Sequence, residues 1–450
     1  MNLNHLKYVY FIGIGGIGMS ALARYFKTKG AKVVGYDKTP TVLTDKLSSE
    51  GIEIHFEENV NLIGSPDLII YTPAIPKENL ELEYCFNNNL NILKRAEVLG
   101  LLSNGLPSVA IAGTHGKTSV TTLLSHLYKN SNIEVNAFLG GISANYNTNL
   151  LVSNNAEIQV VEADEYDRSF LKLIPTYAAI TSVDADHLDI YGDGSHLVEG
   201  YKEFAKLATK QLFVKKEIES TINIPGAITY ALKDSTADYF AENIKIENGS
   251  YHFYLCTPNK NIKNLKLGIP GWHNVENAVL ASAIFLQTGG NSETLKNGLA
   301  NFKGVKRRFE KHFESAKKVY IDDYAHHPTE INALVTSVKE LYPNDEIVGF
   351  FQPHLFTRTR DFAEGFAASL SLLNELVLVP IYPAREKPIE GINSEWLLNK
   401  VNGPKKYLLQ PSSLPLHAVE SPCRVVLTIG AGDIDKTIEP IKNKLIETCN

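Results

Sequence analysis

Two glycine-rich segments carry the strongest chemical signal in this chain. The first follows the apolar run Val9–Ile12 and reads Gly13-Ile14-Gly15-Gly16-Ile17-Gly18-Met19-Ser20, a GxGxxG on Gly13, Gly15 and Gly18. A helical pattern, Met19–Lys29, comes next, and Asp37 ends the following apolar run, Val33–Asp37. Glycines so placed let backbone approach a phosphate, the helix start offers unpaired N–H groups, and the acid can accept a ribose hydroxyl. A tight strand-to-helix turn would show the same glycines. The flanking strand and helix, with Asp37, favour a cradle for a diphosphate linked to a ribose. The motif does not restrict that ligand to a redox cofactor.

The second segment, Gly113-Thr114-His115-Gly116-Lys117-Thr118-Ser119, follows the apolar run Val109–Ala112. Ile111 stands where a full GxxxxGK[ST] loop has its first glycine, so the loop is a shortened GxxGKT. Its physics is that of the longer form: backbone N–H groups surround phosphates, Lys117 reaches the β and γ oxygens, and Thr118 can ligate Mg²⁺. Phosphoryl chemistry also needs a carboxylate at a neighbouring strand end. Glu162 is the first acid after the apolar run Ile158–Val161 and is the expected metal ligand. Asp164, Glu165 and Asp167 follow it and read equally well as a solvated cap. His187, after the run that ends at Val183, is a candidate second ligand, although composition alone favours a packed histidine there.

The last third is dense in cations and imidazoles: Lys306-Arg307-Arg308, Asp323 through His326 and His327, and Gln352-Pro353-His354-Leu355-Phe356-Thr357-Arg358-Thr359-Arg360-Asp361. Arg suits bidentate capture of a carboxylate or phosphate. These groups directly follow apolar runs, which places them at a strand end rather than on a solvated face.

The elements that must position these residues are short, β-branched runs. They include Lys32–Asp37, Asp67–Thr72, Ser108–Gly113, Ile158–Asp164, Tyr177–Val183, Lys318–Asp323, Glu346–Gln352, Glu375–Pro380 and Arg424–Gly430. Such runs read as strands buried on both faces, hence parallel sheet. Helical patterns between them, such as Ser119–Lys129 and Thr329–Leu341, make the expected fold α/β. In such sheets ligands bind beyond the carboxyl ends of strands, where the candidate residues fall. Boundaries are expected near Asn104–Pro107 and near Gly304–Phe309, with a β-rich excursion over about 218–271.

Composition bounds the rest. At 450 residues the chain exceeds one core, and its net charge of -6 gives no basic footprint for nucleic acid or an anionic membrane. The four cysteines are scattered and form no CxxC, which fits a reducing compartment. With no signal-peptide pattern and no long apolar run, a soluble cytoplasmic protein is the expectation.

At this point the residues resemble the Mur ligases, the ATP-dependent amide-bond-forming enzymes of peptidoglycan precursor synthesis, over nearly the whole chain. Gly113–Thr118 is similar to their shortened phosphate loop. Glu162 and His187 match the family's metal-binding Glu and His, and His273–Ala278, with Asn274 and Asn277, matches its adenine-side motif. Arg308 and Asp323 match the hinge and C-terminal nucleotide contacts. The resemblance implies three domains: a Rossmann-like UDP-sugar domain over 1–106, a central P-loop ATPase-type α/β domain over 107–308, and a Rossmann-like domain over 309–450 that closes over the site.

Within the family, the opening Gly13–Ser20 and the segment Gln352–Asp361 are most similar to the member that joins L-alanine to UDP-N-acetylmuramate. Leu355 departs from that segment's frequent Arg. The implied ligands are ATP, two Mg²⁺ ions, UDP-N-acetylmuramate and L-alanine, in a monomer or weak homodimer. Gly13, Gly15, Gly16, Gly18, Met19, Ser20 and Asp37 would hold the UDP-sugar. Gly113 to Ser119, including Thr114, His115 and Gly116, would hold ATP with Asn274, Asn277, Arg308 and Asp323. Thr118, Glu162 and His187 would hold metal, and His326, His354 and Arg358 the alanine. Lys117, His187, His326 and Arg358 are the expected catalytic residues. Some family members carry a carbamylated lysine near the metals, and Lys202 lies at about the right distance after His187. A related ligase that attaches a whole tripeptide remains open, as do a dehydrogenase fused to an ATPase and a non-catalytic nucleotide sensor.

Overall fold

Most of the apolar runs become strands that stop one to three residues short of the end of the run. Ser108–Ala112, Ile158–Glu162, Tyr177–Ile180, Ile347–Phe351 and Val425–Ile429 are examples. The computed structural model describes residues 3–184, 194–247, 249–384 and 386–449. The chain divides into two units: 1–244 with 253–266 and 276–303, and 245–252 with 267–275 and 304–450.

The first unit opens with a five-stranded parallel sheet. Its order is Glu53–His55, Lys32–Tyr36, Tyr8–Ile12, Leu68–Tyr71, Ile92–Lys94. The chain works outward in one direction from Tyr8–Ile12 and then reverses to Leu68–Tyr71. The glycine fingerprint therefore starts at the topological switch point, where α/β sheets bind ligands. Helix Ile17–Thr28 packs Leu22 and Phe26 against Val9 and Phe11 of that central strand; these side chains are buried in one cluster.

A ten-stranded sheet follows. Ser108–Ala112 has all five residues buried and pairs in parallel with Tyr177–Ile180 on one side and Ile158–Glu162 on the other. Each buried Val or Ile there contributes about 1.5–3 kcal/mol of apolar transfer. Beyond Ile158–Glu162 lie Val135–Ser143, parallel to it, and Thr148–Leu151, antiparallel to its neighbour. The excursion expected over 218–271 supplies Ile228–Ala231, Tyr239–Glu247, Ser250–Cys256 and Ile262–Leu267 at the far end of the sheet.

The second unit holds a six-stranded sheet. Its order is Glu310–Glu314, Val319–Asp323, Val425–Ile429, Ile347–Phe351, Glu375–Leu378, Lys405–Leu408. Only the Glu310–Glu314 edge is antiparallel. Apolar clusters cover both faces, one around Val335, Phe351 and Phe366, the other around Phe350, Val377 and Ile441. Helix Pro328–Leu341 starts cleanly because His327 and Glu330 form a reciprocal cap and proline stands at its first turn.

Candidate active site

The first cradle is a turn closed by its own acid. Gly13 has φ +88, and a Cβ there would press on Thr72 and Ile75. Its N–H and that of Ile14 donate to the Tyr36 carbonyl, at 2.8 and 3.0 Å. Asp37 Oδ2 accepts the Gly15 N–H at 2.7 Å. Gly16 is the N-cap of helix Ile17–Thr28 with no side-chain cap, so the helix start is left to backbone N–H groups. Met19 and Ser20 lie inside that helix and are buried; the Ser20 hydroxyl donates to the Ile17 carbonyl and accepts from Asn149.

The second cradle is the GxxGKT turn between Ser108–Ala112 and helix Lys117–Lys129. Gly113 and Gly116 have φ +131 and +84, a region L side chains avoid, and a Cβ on Gly113 would overlap Thr181. Thr114 and His115 donate their N–H groups to the carbonyl and hydroxyl of Ser182, at 3.3 and 2.8 Å. The His115 ring lies 3.3 Å from Asp184. Asn277 approaches Gly116 closely, where a Cβ would lie 2.9 Å from its Oδ1. Thr118 is buried in the first helical turn and Ser119 half-buried beside it.

Lys117 folds back on the loop. Its Nζ donates to the Gly113 carbonyl at 2.5 Å and pairs with both Glu165 oxygens at 2.8 and 2.9 Å. Glu165 is 2% exposed. Burial opposes both charges and pushes the Glu165 carboxyl up, but Glu165, Glu162 and Asp164 together raise the Lys117 pKa and keep it an ammonium. Sequence reading left Glu165 undecided, since spacing alone shows no burial; the structure makes it the lysine's partner.

Glu162 ends the strand paired with Ser108–Ala112, opposite Ile111. Among the described residues its Oε2 is buried without a hydrogen-bond partner, and a Cβ on Gly140 would run into the carboxylate. A buried unsatisfied carboxylate oxygen is costly, and a hard divalent cation satisfies it. Glu162 thus fits a metal ion, with the Thr118 hydroxyl the expected second oxygen. His187 lies outside the described residues. Among the described residues no group of three or more His, Cys, Asp or Glu could hold a metal. Lys202, in helix Gly194–Ala205, pairs with Glu199 at 2.8 Å.

In the second unit the cations and imidazoles gather at the carboxyl ends of Val319–Asp323 and Ile347–Phe351, on either side of Val425–Ile429. Asp323 accepts backbone N–H groups of Phe309 and Ala325, both at 2.7 Å, yet burial raises its pKa to about 7. The Arg308 guanidinium stacks 5.7 Å over the Tyr324 ring, while Arg307 binds Asp322 and the Gly430 carbonyl. His326 and His354 rings lie edge to face at 6.2 Å. Arg358 is 8% exposed and reaches His354 Nδ1 at 3.3 Å.

Two supporting residues there carry no sequence signal. Tyr382 stacks on His354 at 5.6 Å. Glu386 accepts the N–H groups of Phe356 and Thr357 at 2.6 and 3.1 Å, anchoring the short helix that carries Arg358. His273 and Asn274 begin helix Trp272–Gln287. Asn274 donates to the Pro270 carbonyl at 2.6 Å, and burial with the nearby Arg308 charge lowers His273 to about 4.

Family profiles match this chain in three segments. Residues 8–106 match the profile described as Mur ligase family, catalytic domain; 111–285 match the Mur ligase middle domain; 307–432 match the Mur ligase, glutamate ligase domain. A UDP-N-acetylmuramate–L-alanine ligase of Flavobacterium psychrophilum is 51% identical over 99% of this chain and its own full length. One from Parabacteroides distasonis is 47% identical over 99% of this chain and 98% of its own. The crystal structure of a UDP-N-acetylmuramate-alanine ligase from Thermotoga maritima superposes with TM-score 0.84 and 28% identity, covering 98% of this chain and all of that one. A murein peptide ligase from Psychrobacter arcticus shares the fold at TM-score 0.70 and 20% identity.

Proposed function

The chain belongs to the Mur ligase family, and from that membership we propose that it joins L-alanine to the carboxylate of UDP-N-acetylmuramate, with ATP converted to ADP and phosphate. Whole-length identity near one half to relatives bearing that name supports the choice of amine. The observation that carries the chemistry is the second cradle: a glycine loop holding a half-buried Lys117 beside Glu162, whose buried Oε2 has no hydrogen-bond partner among the described residues.

A carboxylate is a poor electrophile, and phosphorylation converts it into an acyl phosphate that a neutral amine can attack. Attack gives a tetrahedral intermediate, and its collapse expels phosphate and leaves the amide. Lys117 and the loop N–H groups hold the transferring phosphoryl and spread its charge. Mg²⁺ held by Thr118 and Glu162 would supply further charge neutralisation, and His187 would help hold a second ion. Asp37, the backbone turn at Gly13–Gly18 and the N–H groups of the helix start that follows it hold the UDP portion. Arg358 and His326 take the alanine carboxylate, with His354 beside them, so that the amine is presented to the acyl carbon. Asn274, Asn277, Arg308 and Asp323 contact ATP. The domain limits in this reading are 1–106, 107–308 and 309–450, and the enzyme works in the cytoplasm as a monomer or weak dimer.

Phosphate release with ATP, UDP-N-acetylmuramate and L-alanine, each omitted in turn, tests this. Release that requires all three supports the reading. Release that requires the tripeptide in place of L-alanine assigns the chain to the recycling reaction.

A further inference from the structure

A small, partly open cleft in the first unit is walled by Ile17, Gly18, Arg95, Phe138, Glu162 and Asp164, so it touches both the first cradle and the proposed metal carboxylate. Arg95 is the cation of that wall. It is the first residue of helix Arg95–Ser103, and Lys94 is the N-cap. A helix start favours anions, so two successive cations there are locally unfavourable. Each is matched by an acid on the turn after Glu162: Lys94 by Asp167 and Arg95 by Asp164, both at 2.8 Å. Asp164 turns its other oxygen to the Tyr166 N–H at 3.1 Å, which shapes the turn, and Glu165 between them holds Lys117.

Gly18 explains how Arg95 reaches this place. It lies in helix Ile17–Thr28 without the positive φ of Gly13. Alanine is the better helix former at such a position. A Cβ there would overlap Arg95 Nη1 and come within 3.2 Å of Cδ and 3.3 Å of Cζ; the three nearest atoms all belong to Arg95. The third glycine of the fingerprint is accounted for by a guanidinium rather than by a phosphate or a strained backbone.

We propose that Gly18 seats Arg95, and that Arg95 is a positioning residue of the ligase reaction, fixing the acid turn that holds Lys117 to the cradle that holds the UDP-sugar. This rests on the ligase reading above. Without Arg95, Asp164 keeps only the Tyr166 N–H, the turn that carries Glu165 and Lys117 loses a tie to the first cradle, and the anionic UDP-sugar meets Glu162 and Asp164 with one cation fewer beside them.

The test is a cycle of Gly18→Ala, Arg95→Ala and the double variant, with Arg95→Lys alongside. Seating is read without ligand from the melting temperature. Gly18→Ala should lower it in the native background and leave it unchanged or raised in the Arg95→Ala background. An equal fall in both backgrounds overturns the seating. Positioning is read from kinetics: Arg95→Ala should raise the KM for UDP-N-acetylmuramate and lower kcat, each by about tenfold or more, and leave the KM for L-alanine unchanged. Arg95→Lys should recover part of the loss, and Gly18→Ala should add nothing to Arg95→Ala. Equal movement of both KM values, or independent additive losses, overturns the positioning role. If the unmodified enzyme releases no phosphate with the three substrates, the ligase reading fails by itself, and the melting cycle still decides whether Gly18 seats Arg95.

Discussion

The two glycine cradles solve the same backbone problem with opposite charges at their mouths. At the first, Asp37 accepts the Gly15 N–H at 2.7 Å and presents an acid. At the second, Lys117 donates to the Gly113 carbonyl at 2.5 Å and is clamped by the buried Glu165. An acid beside a phosphate cradle repels the phosphate itself, but besides closing the turn it can accept a sugar hydroxyl. A lysine neutralises charge that moves. In the proposed reaction the first site retains a ligand and the second transfers part of one, and the contrast can be broken by exchanging which step each variant damages.

The largest effect is expected from Lys117→Ala. Loss of a cation aimed at the transferring phosphoryl should lower kcat by about 10³-fold or more, with UDP-sugar binding by calorimetry unchanged. Retained turnover would remove the P-loop assignment. Loss of UDP-sugar affinity would show that the cradles are one site rather than two.

Arg358→Ala sharpens the comparison from the amine side. Arg358 is buried and held by His354, so its guanidinium is already oriented for a carboxylate. Its removal should raise the KM for L-alanine about 100-fold, with the KM for ATP changed little. A parallel rise in both constants would move Arg358 from the amino acid to the nucleotide. Asp37→Ala follows in size. A single ribose contact should weaken UDP-sugar binding about tenfold and leave ATP affinity alone, and an unchanged affinity would take Asp37 out of the first site.

The difference between the cradles also marks how far the sequence could be read. Glycine spacing after a buried strand announces each loop, because positive φ at Gly13, Gly113 and Gly116 leaves little choice of residue. Ser108–Ala112 was legible as strand because all five residues are buried on both faces. Glu53–His55, Ile92–Lys94 and Lys405–Leu408 were not, being short runs with no fully buried residue at a sheet edge. Glu162 was legible from its strand. Glu165, three residues later, was not, since its burial depends on a turn in which Asp167 and Arg168 both take positive φ. Arg95 had no motif at all. Its one trace was a pair of cations at a helix start, where anions are favoured.

The smallest expected effect concerns pH and separates buried imidazoles from a buried carboxyl by sign. His126 in the first unit and His273 in the second are both held near pKa 4, chiefly by burial, against an ordinary value near 6.5. Between pH 6.5 and 4 the unfolded chain binds protons that these folded imidazoles refuse, so stability falls as pH falls through that window. Each contributes on the order of 1–3 kcal/mol across it. Asp323 works in the opposite direction. Its carboxyl, raised to about 7 by burial, is protonated in the folded state where the unfolded one is ionised, which favours folding as pH falls from 7 toward 4. Melting temperature measured from pH 7 to 4 should therefore drop less steeply in His126→Gln than in the native chain, and more steeply in Asp323→Asn. The readout is the slope, because either substitution also shifts the absolute midpoint. If Asp323→Asn flattens the slope, its carboxyl is ionised in the folded protein, and the ATP contact proposed for it would carry a full negative charge.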